Sequence, residues 1–132
     1  MSTQLKTQPI LPTFFEARER TLVTWLGMAG ALINVRGTIL LIDPLISTIE
    51  KDGQIVSEEG DYRFKVPLPV EAKDLPRVDL VMYTHADDDH FGRLTARLLA
   101  ERLPCRFIAP PPVARGLREL GIPAERIQIA KE

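Results

Sequence analysis

The sequence predicts an α/β fold in which a mixed β-sheet carries its helices on one face. Apolar runs typical of strands alternate with segments of helical periodicity from residue 78 to residue 129, a pattern that favours parallel strands joined by helices. Earlier in the chain, two apolar runs at 31–35 and 38–42 flank Arg36 and Gly37, as in an antiparallel hairpin. Because helical crossovers are right-handed, both helices are expected on one face, which leaves the other apolar face open.

Each element is predicted from its local pattern. The first helix follows Gly92, where leucines recur at helical spacing, and it ends before Pro104. The second helix follows the proline run 110–112, and Gly121 is its predicted left-handed cap. Runs of β-branched and apolar residues predict six strands, at 21–26, 31–35, 38–42, 78–84, 106–109 and 127–129.

A long irregular stretch separates the third and fourth of these strands, over residues 44–76. Asp52 and Gly53 are expected to turn a small hairpin, and residues 62–66 alternate like a short exposed strand. Insertions of this length are often lids or substrate loops. The alternative is a loop that has no functional role or one that mediates oligomerisation.

Composition narrows the class of protein. The formal net charge of −1 gives no basic surplus, so neither a nucleic-acid nor a membrane-surface partner is expected. The N-terminus has no apolar core of a signal peptide and no stretch approaches a membrane span, so the expected location is cytoplasmic. The single cysteine, Cys105, excludes an intrachain disulfide; we interpret it as a buried strand residue rather than a reactive thiol.

The chemistry concentrates in residues 85–90, directly after a predicted buried strand. His85, Asp87, Asp89 and His90 lie there, together with one further aspartate. Consecutive carboxylates in one turn repel one another unless a counter-ion is present, and α/β sheets place ligand sites at such strand ends. A divalent cation would relieve the repulsion and give both imidazoles a partner. The pattern therefore predicts a metal site.

A structural role for the same residues is the alternative. Asp88 or Asp89 would then cap the helix that follows, accepting its free N–H groups and complementing its dipole. That role accounts for one aspartate but leaves His85 and two further carboxylates unexplained.

Residues 84–92, Thr-His-Ala-Asp-Asp-Asp-His-Phe-Gly, resemble the motif Thr-His-x-His-x-Asp-His-x-Gly of the metallo-β-lactamase superfamily at every diagnostic place but one. Residues 25–27, Trp-Leu-Gly, resemble the opening of its lactonase-like branch, and residues 41–44, Leu-Ile-Asp-Pro, its aspartate-containing strand end. The resemblance implies the N-terminal half of an αββα sandwich, formed by residues 21–132. Independently of the resemblance, residues 1–20 are polar and contain Pro9 and Pro12, so we expect an extended lead-in with a short helical piece over residues 14–20.

The same resemblance implies a metal-dependent hydrolase of a small ester, lactone or phosphoester, in which a metal-bound hydroxide attacks the substrate. His85 and Asp87 would bind a first metal, and Asp89 and His90 a second, with Asp89 as the catalytic residue. Asp43 would lie beneath the site and orient a ligand. Zinc is the expected metal, with manganese or iron as alternatives, because Asp87 stands where the family usually has histidine and a carboxylate makes the site harder.

Other departures from the family pattern lead to an alternative function. Met28 stands where the lactonase-like branch often has histidine, and no aspartate or histidine follows Gly92, so later ligands of the family have no candidates here. We therefore expect at most half of a dinuclear site, in a truncated or proteolysed product or in a subunit completed by a second half or a second copy. Such a chain would be inactive alone. The alternative function is a degenerate, non-catalytic interaction or scaffold module.

Overall fold

The computed structural model describes residues 6–59, 64 and 66–131. These form eight strands, two α-helices and three short 3-10 helices. The strands are β1 Leu22–Gly27, β2 Gly30–Val35, β3 Thr38–Ile42, β4 Thr48–Lys51, β5 Gln54–Ser57, β6 Leu80–Met82, β7 Arg106–Ala109 and β8 Ile127–Ile129. The helices are α1 Arg93–Arg102 and α2 Pro111–Glu119, and the 3-10 helices are Pro12–Phe15, Ala72–Asp74 and Ala124–Arg126.

The main sheet has six strands in the order β1-β2-β3-β6-β7-β8. Strands β1, β2 and β3 pair antiparallel, whereas β3, β6, β7 and β8 pair parallel. The hairpin at Arg36 and Gly37 and the parallel strand–helix region are therefore confirmed. Since β3 and β6 are parallel neighbours, their carboxyl ends lie at the same edge of the sheet.

The core lies between α1, α2 and one face of this sheet. Leu41, Val81 and Phe107 on that face are fully buried, as are Leu99 of α1 and Leu117 of α2. Burying a side chain of this size contributes about 1.5–3 kcal/mol. Leu99 and Leu117 belong to the same core cluster as these sheet residues, and the two helices contact each other. The helices therefore cover this face, as the sequence predicted.

The opposite face of the sheet is apolar and open. Its side chains alternate with the buried ones along each strand, and the register aligns them across the sheet. Val23 and Trp25 on the edge strand are 67% and 65% exposed. The inner part of this face consists of half-buried apolar residues: Ala31, Ile33, Leu40, Ile42, Leu80, Met82 and Ile108.

A separate two-stranded sheet of β4 and β5 confirms the hairpin predicted at Asp52 and Gly53. Lys51 pairs with Gln54, and the two turn residues have φ of +52° and +73°. Positive φ at both positions is the requirement of a type I′ turn, which aspartate and glycine accept.

Two predicted elements differ in extent. The helical piece expected over residues 14–20 is wrong in its position: a 3-10 helix covers Pro12–Phe15, its C-cap Glu16 is extended, and no helix follows over residues 16–20. The Asn34 side chain donates hydrogen bonds to the carbonyls of Phe14 and Glu16, and these bonds compete with the backbone bonds of a continuing helix. The lead-in is also packed onto the domain, because Phe15 is 7% exposed.

The strand predicted over residues 78–84 is shorter and covers Leu80–Met82. Before it, Asp79 accepts the backbone N–H of Ile39 through its side chain; after it, Thr84 turns toward Asp43. The strand predicted at 62–66 lies mostly outside the described residues. Within the described ranges, no helix is long and apolar enough to cross a membrane.

Candidate metal centre

Asp43 fixes the start of residues 84–92, which we call the metal motif. It follows β3, is 2% exposed and has φ of +44°, a conformation that aspartate adopts more readily than most residues. Its Oδ1 accepts the backbone N–H of Thr84 at 2.8 Å and its Oδ2 accepts the Thr84 hydroxyl at 2.6 Å. The end of β6 is thereby tied to the end of β3.

The same carboxylate orients His90. Oδ2 of Asp43 lies 2.8 Å from Nδ1 of His90. With the proton held on Nδ1, the lone pair is on Nε2 and available to a cation, the arrangement in which metal-binding histidines are commonly fixed. Asp43 thus lies beneath the motif and contacts one of the four residues singled out from the sequence.

Three of those four residues come together. His85, Asp89 and His90 each offer one ligand atom, and these atoms lie within 4.8 Å of one another; we call them the metal cluster. The two imidazole rings are 3.8 Å apart between centroids, and Oδ2 of Asp89 lies 3.7 Å from Nε2 of His90.

The cluster fits a divalent cation in both its chemistry and its size. Imidazole nitrogen and carboxylate oxygen are the ligands of zinc, manganese and iron. Atoms that bind one zinc ion at about 2.0–2.2 Å lie within roughly 4.4 Å of one another, so small side-chain rotations would be enough. The cluster therefore offers three candidate ligands for one ion, and it groups His85 with Asp89 and His90, whereas the resemblance implied a first metal on His85 and Asp87 and a second on Asp89 and His90.

Asp87 is not one of the three residues of the metal cluster, but its side chain contacts one of them. Its side chain is 78% exposed, and Oδ2 is 3.3 Å from Nε2 of His85. Its backbone carbonyl accepts the N–H groups of His90 and Phe91, both at 2.9 Å. Asp87 therefore closes the turn of the motif through its backbone and contacts a cluster member through its side chain.

The helix cap that the sequence suggested for Asp88 or Asp89 comes from another residue. Helix α1 begins after Gly92, which has no side chain to cap it. The backbone N–H of Thr95 instead donates to Oε1 of Glu58 at 3.0 Å. Sequence reasoning missed Glu58, because nothing in the irregular stretch around it signals a contact with a helix beyond β6.

Among the described residues, burial raises the pKa of three titratable groups. Desolvation raises the pKa of Glu58, and the Glu59 carboxylate adds to the rise, whereas hydrogen bonds from Thr95 and Leu94 oppose it. Burial also raises the pKa of Tyr83 well above its ordinary value, so its hydroxyl stays protonated. The pKa of the Cys105 thiol is raised by burial as well, which fits a buried structural cysteine rather than a reactive thiol.

A separate apolar cavity of about 530 Å³ lies beside edge strand β1. Trp25 and Met28 line it from one side, and Phe64 and Leu68 line it from the long irregular stretch. In the described part of the chain no member of the metal cluster lines this cavity. The cavity and the metal cluster are therefore distinct features.

Comparison with known proteins identifies the family. Residues 38–131, more than half of the chain, match the family model described as a β-lactamase superfamily domain. A UPF0173 metal-dependent hydrolase of Anaeromyxobacter sp. is 32% identical over 111 residues, which is 83% of this chain and 34% of that protein. An uncharacterised protein of Mycobacterium tuberculosis is 33% identical over 108 residues, covering 82% of this chain and 28% of that protein.

Solved structures agree with this assignment. The isothiocyanate hydrolase from Delia radicum gut bacteria superposes with a TM-score of 0.59 at 25% identity, covering 85% of this chain and 42% of that one. CmlA, a diiron β-hydroxylase from Streptomyces venezuelae, gives a TM-score of 0.55 at 25% identity, covering 86% of this chain and 21% of that one. The chain spans about a third of the length of the curated relatives it matches. On its sequence match, its fold and the arrangement of residues 84–92, the chain belongs to the metallo-β-lactamase superfamily.

Proposed function

We propose that this chain contributes the first metal-binding motif to a metal-dependent hydrolase that acts on a small ester, lactone or phosphoester. The observation that carries the proposal is the gathering of His85, Asp89 and His90 within 4.8 Å above the buried Asp43. A metal-dependent hydrolase among the relatives and a hydrolase among the similar structures support the reaction class.

Each residue has a defined task in this proposal. A bound divalent cation would supply Lewis acidity and would lower the pKa of water. His85 and His90 bind it as neutral imidazoles, and Asp43 keeps the proton of His90 on Nδ1. Asp89 has two carboxylate oxygens, so one can bind the cation while the other accepts a hydrogen bond from the attacking water. This is the catalytic role we assign to Asp89.

For the metal we propose zinc first, with manganese and iron as alternatives. Two imidazoles and one carboxylate form a zinc-type ligand set. Asp87 could join them by rotating its exposed side chain, and an added carboxylate favours the harder ions. The similarity to a diiron protein supports keeping iron among the candidates.

A second candidate function is a non-catalytic interaction or scaffold module, and the open sheet face favours it. Soluble monomers seldom leave so continuous an apolar face uncovered. We propose that a complementary sheet covers it, contributed either by a second half of a longer protein or by another copy of this chain. A small molecule would be the substrate in the first function, and a protein surface the partner in the second.

Metal binding decides between the two functions. Isothermal titration with zinc, manganese and ferrous ions should give binding tighter than about millimolar, which corresponds to about 4 kcal/mol of binding free energy. His90→Ala should abolish it, and Asp74→Asn, which changes an exposed carboxylate on the Ala72–Asp74 3-10 helix, should not. Wild-type protein that binds none of these ions would leave the scaffold as the better account.

A further inference from the structure

The side chain of Glu58 reaches from the long irregular stretch to the start of α1. It directly follows β5, and its carboxylate accepts hydrogen bonds from the backbone N–H and the hydroxyl of Thr95. The backbone N–H of Leu94 is a further donor to it. Three donors therefore converge on one carboxylate.

Helix α1 depends on this external acceptor. The first N–H groups of any α-helix have no partner within the helix, and the residue that precedes α1 is Gly92, which offers no side chain. Glu58 fills that role from a distant part of the chain. Its negative charge also lies at the positive end of the helix dipole.

Gly92 is small enough to allow this contact. A Cβ atom built on Gly92 would lie 2.6 Å from Oε1 of Glu58, well inside van der Waals distance. The absence of a side chain at Gly92, the last residue of the metal motif, thus leaves the space that the Glu58 carboxylate occupies. A side chain at position 92 would push the carboxylate away from the helix.

Thr95 connects the same helix turn to a second part of the irregular stretch. Its hydroxyl oxygen accepts the backbone N–H of Ile46 at 3.1 Å and lies 2.9 Å from the hydroxyl of Ser47. The backbone N–H of Glu58 donates to the carbonyl of Ser47 at 3.0 Å. Thr95 and Ser47 are 0% and 3% exposed, so their part of the network is shielded from water, while Glu58 is half-buried.

The metal cluster lies between two fixed points. Asp43 holds Thr84 before the cluster, and Glu58 holds Leu94 and Thr95 after it. We propose that Glu58 is a positioning residue for the metal centre, setting the place of His90 through the start of α1. This inference rests on the proposed function, because it assigns Glu58 a role in the same site.

The test compares three variants of the full chain. Glu58→Ala removes the acceptor. Glu58→Gln keeps a side chain of the same shape with one acceptor oxygen instead of two. Glu71→Gln is the matched control, because Glu71 lies on the same stretch, accepts the hydroxyl of Thr48 at 2.7 Å and pairs with Lys73 at 3.7 Å.

Zinc affinity is the first readout. Removing a residue that orients a ligand typically weakens metal binding by about 10–100-fold, and we expect a loss near the lower end for Glu58→Ala. Glu58→Gln should lose less and Glu71→Gln should match the wild type. A Glu58→Ala variant that has a lower thermal midpoint but wild-type zinc affinity would overturn the proposal, since Glu58 would then only stabilise the helix.

A second readout needs no metal. The chain has two histidines, so the imidazole resonances of metal-free protein can be assigned from a nitrogen–proton correlation spectrum. Glu58→Ala should shift or broaden the Nδ1 resonance of His90, and Glu71→Gln should leave it unchanged. Should Glu58→Ala not fold, Glu58→Gln is measured in both ways, and wild-type values in both would overturn the proposal. If the wild type binds no metal, the proposed function fails while this second readout still decides the role of Glu58.

Discussion

Oδ2 of Asp43 lies 2.8 Å from Nδ1 of His90, although 47 positions separate the two residues in the chain. The contact exists because β3 and β6 are parallel neighbours, so that the residue after β3 and the turn after β6 meet at one sheet edge. One buried carboxylate therefore sets both the end of a strand and the direction of an imidazole.

Asp43→Asn should weaken zinc binding by about 10–100-fold. An asparagine side chain has one acceptor oxygen where the carboxylate has two, and its amide nitrogen is a donor that cannot accept a hydrogen bond from the Nδ1–H of His90. One of the present donors, Thr84 or His90, is then left without an acceptor. Isothermal titration measures the affinity, with Asp74→Asn as a matched change on the surface. Equal affinities for the wild type and Asp43→Asn would show that His90 does not need this contact to bind zinc.

Much of the fold follows from local pattern. The hairpins at Arg36-Gly37 and Asp52-Gly53 were predictable, because glycine at such turns and apolar runs on either side leave few other conformations. The metal cluster was predictable in outline, because α/β sheets place ligand sites at the carboxyl ends of their strands and neighbouring carboxylates repel one another unless a cation is present.

The failures of prediction have a common cause in contacts between distant residues. Asn34 captures the carbonyls of Phe14 and Glu16, and this overrides the helical tendency of the lead-in. Glu58 caps α1 from a stretch without regular pattern, where sequence does not fix the path of the backbone. A helix that lacks its own cap, as after Gly92, is a signal that an acceptor comes from elsewhere, but it does not say from which residue.

Asp87→His should raise the affinity for zinc relative to that for manganese. The change replaces a carboxylate by an imidazole, which suits zinc better. The Asp87 side chain is 78% exposed and lies beside His85, so the fold should tolerate the substitution. Competition titrations of the two metals measure the ratio. Asp88→His is the control for adding an imidazole nearby; an equal rise in both variants would contradict a specific role for position 87.

Phe107→Ala should destabilise the protein by about 3–5 kcal/mol, as is typical when a large core side chain is truncated. Phe107 is fully buried between the sheet and the helices, and the guanidinium of Arg126 lies 5.7 Å from its ring centroid. Urea unfolding measures the loss. Ile55→Ala, at a residue that is 65% exposed, should stay within about 0.5 kcal/mol of the wild type. A loss of similar size for Phe107→Ala and Ile55→Ala would contradict the placement of Phe107 in a core covered by the helices.

Val23→Lys should reduce self-association of the isolated chain. Val23 lies on the open apolar face and is 67% exposed, so a charge there makes burial of that face against another copy costly. Sedimentation at micromolar concentration should show the wild type associated and the variant shifted toward monomer. Ile55→Lys, on the β4–β5 hairpin and similarly exposed, should not change the distribution. A monodisperse wild-type monomer would argue against pairing through this face.

Glu58 should make the stability of the wild type fall as pH rises above about 4.5. Burial raises the pKa of Glu58 above its ordinary value of 4.5, so between these two pKa values the folded chain holds a proton that the unfolded chain has released. The folded state then binds more protons, and the free energy of unfolding decreases with pH across that window. The stabilisation is fully present below the pKa of Glu58 in the unfolded chain and is lost as pH rises through its pKa in the folded chain.

The comparison of the wild type with Glu58→Gln, which does not titrate, isolates this effect. In urea unfolding of both proteins from pH 4.5 to pH 7.5, the wild type should lose stability relative to the variant. A relative stability that rises with pH would mean that the hydrogen bonds from Leu94 and Thr95 outweigh desolvation and hold the pKa of Glu58 below its ordinary value.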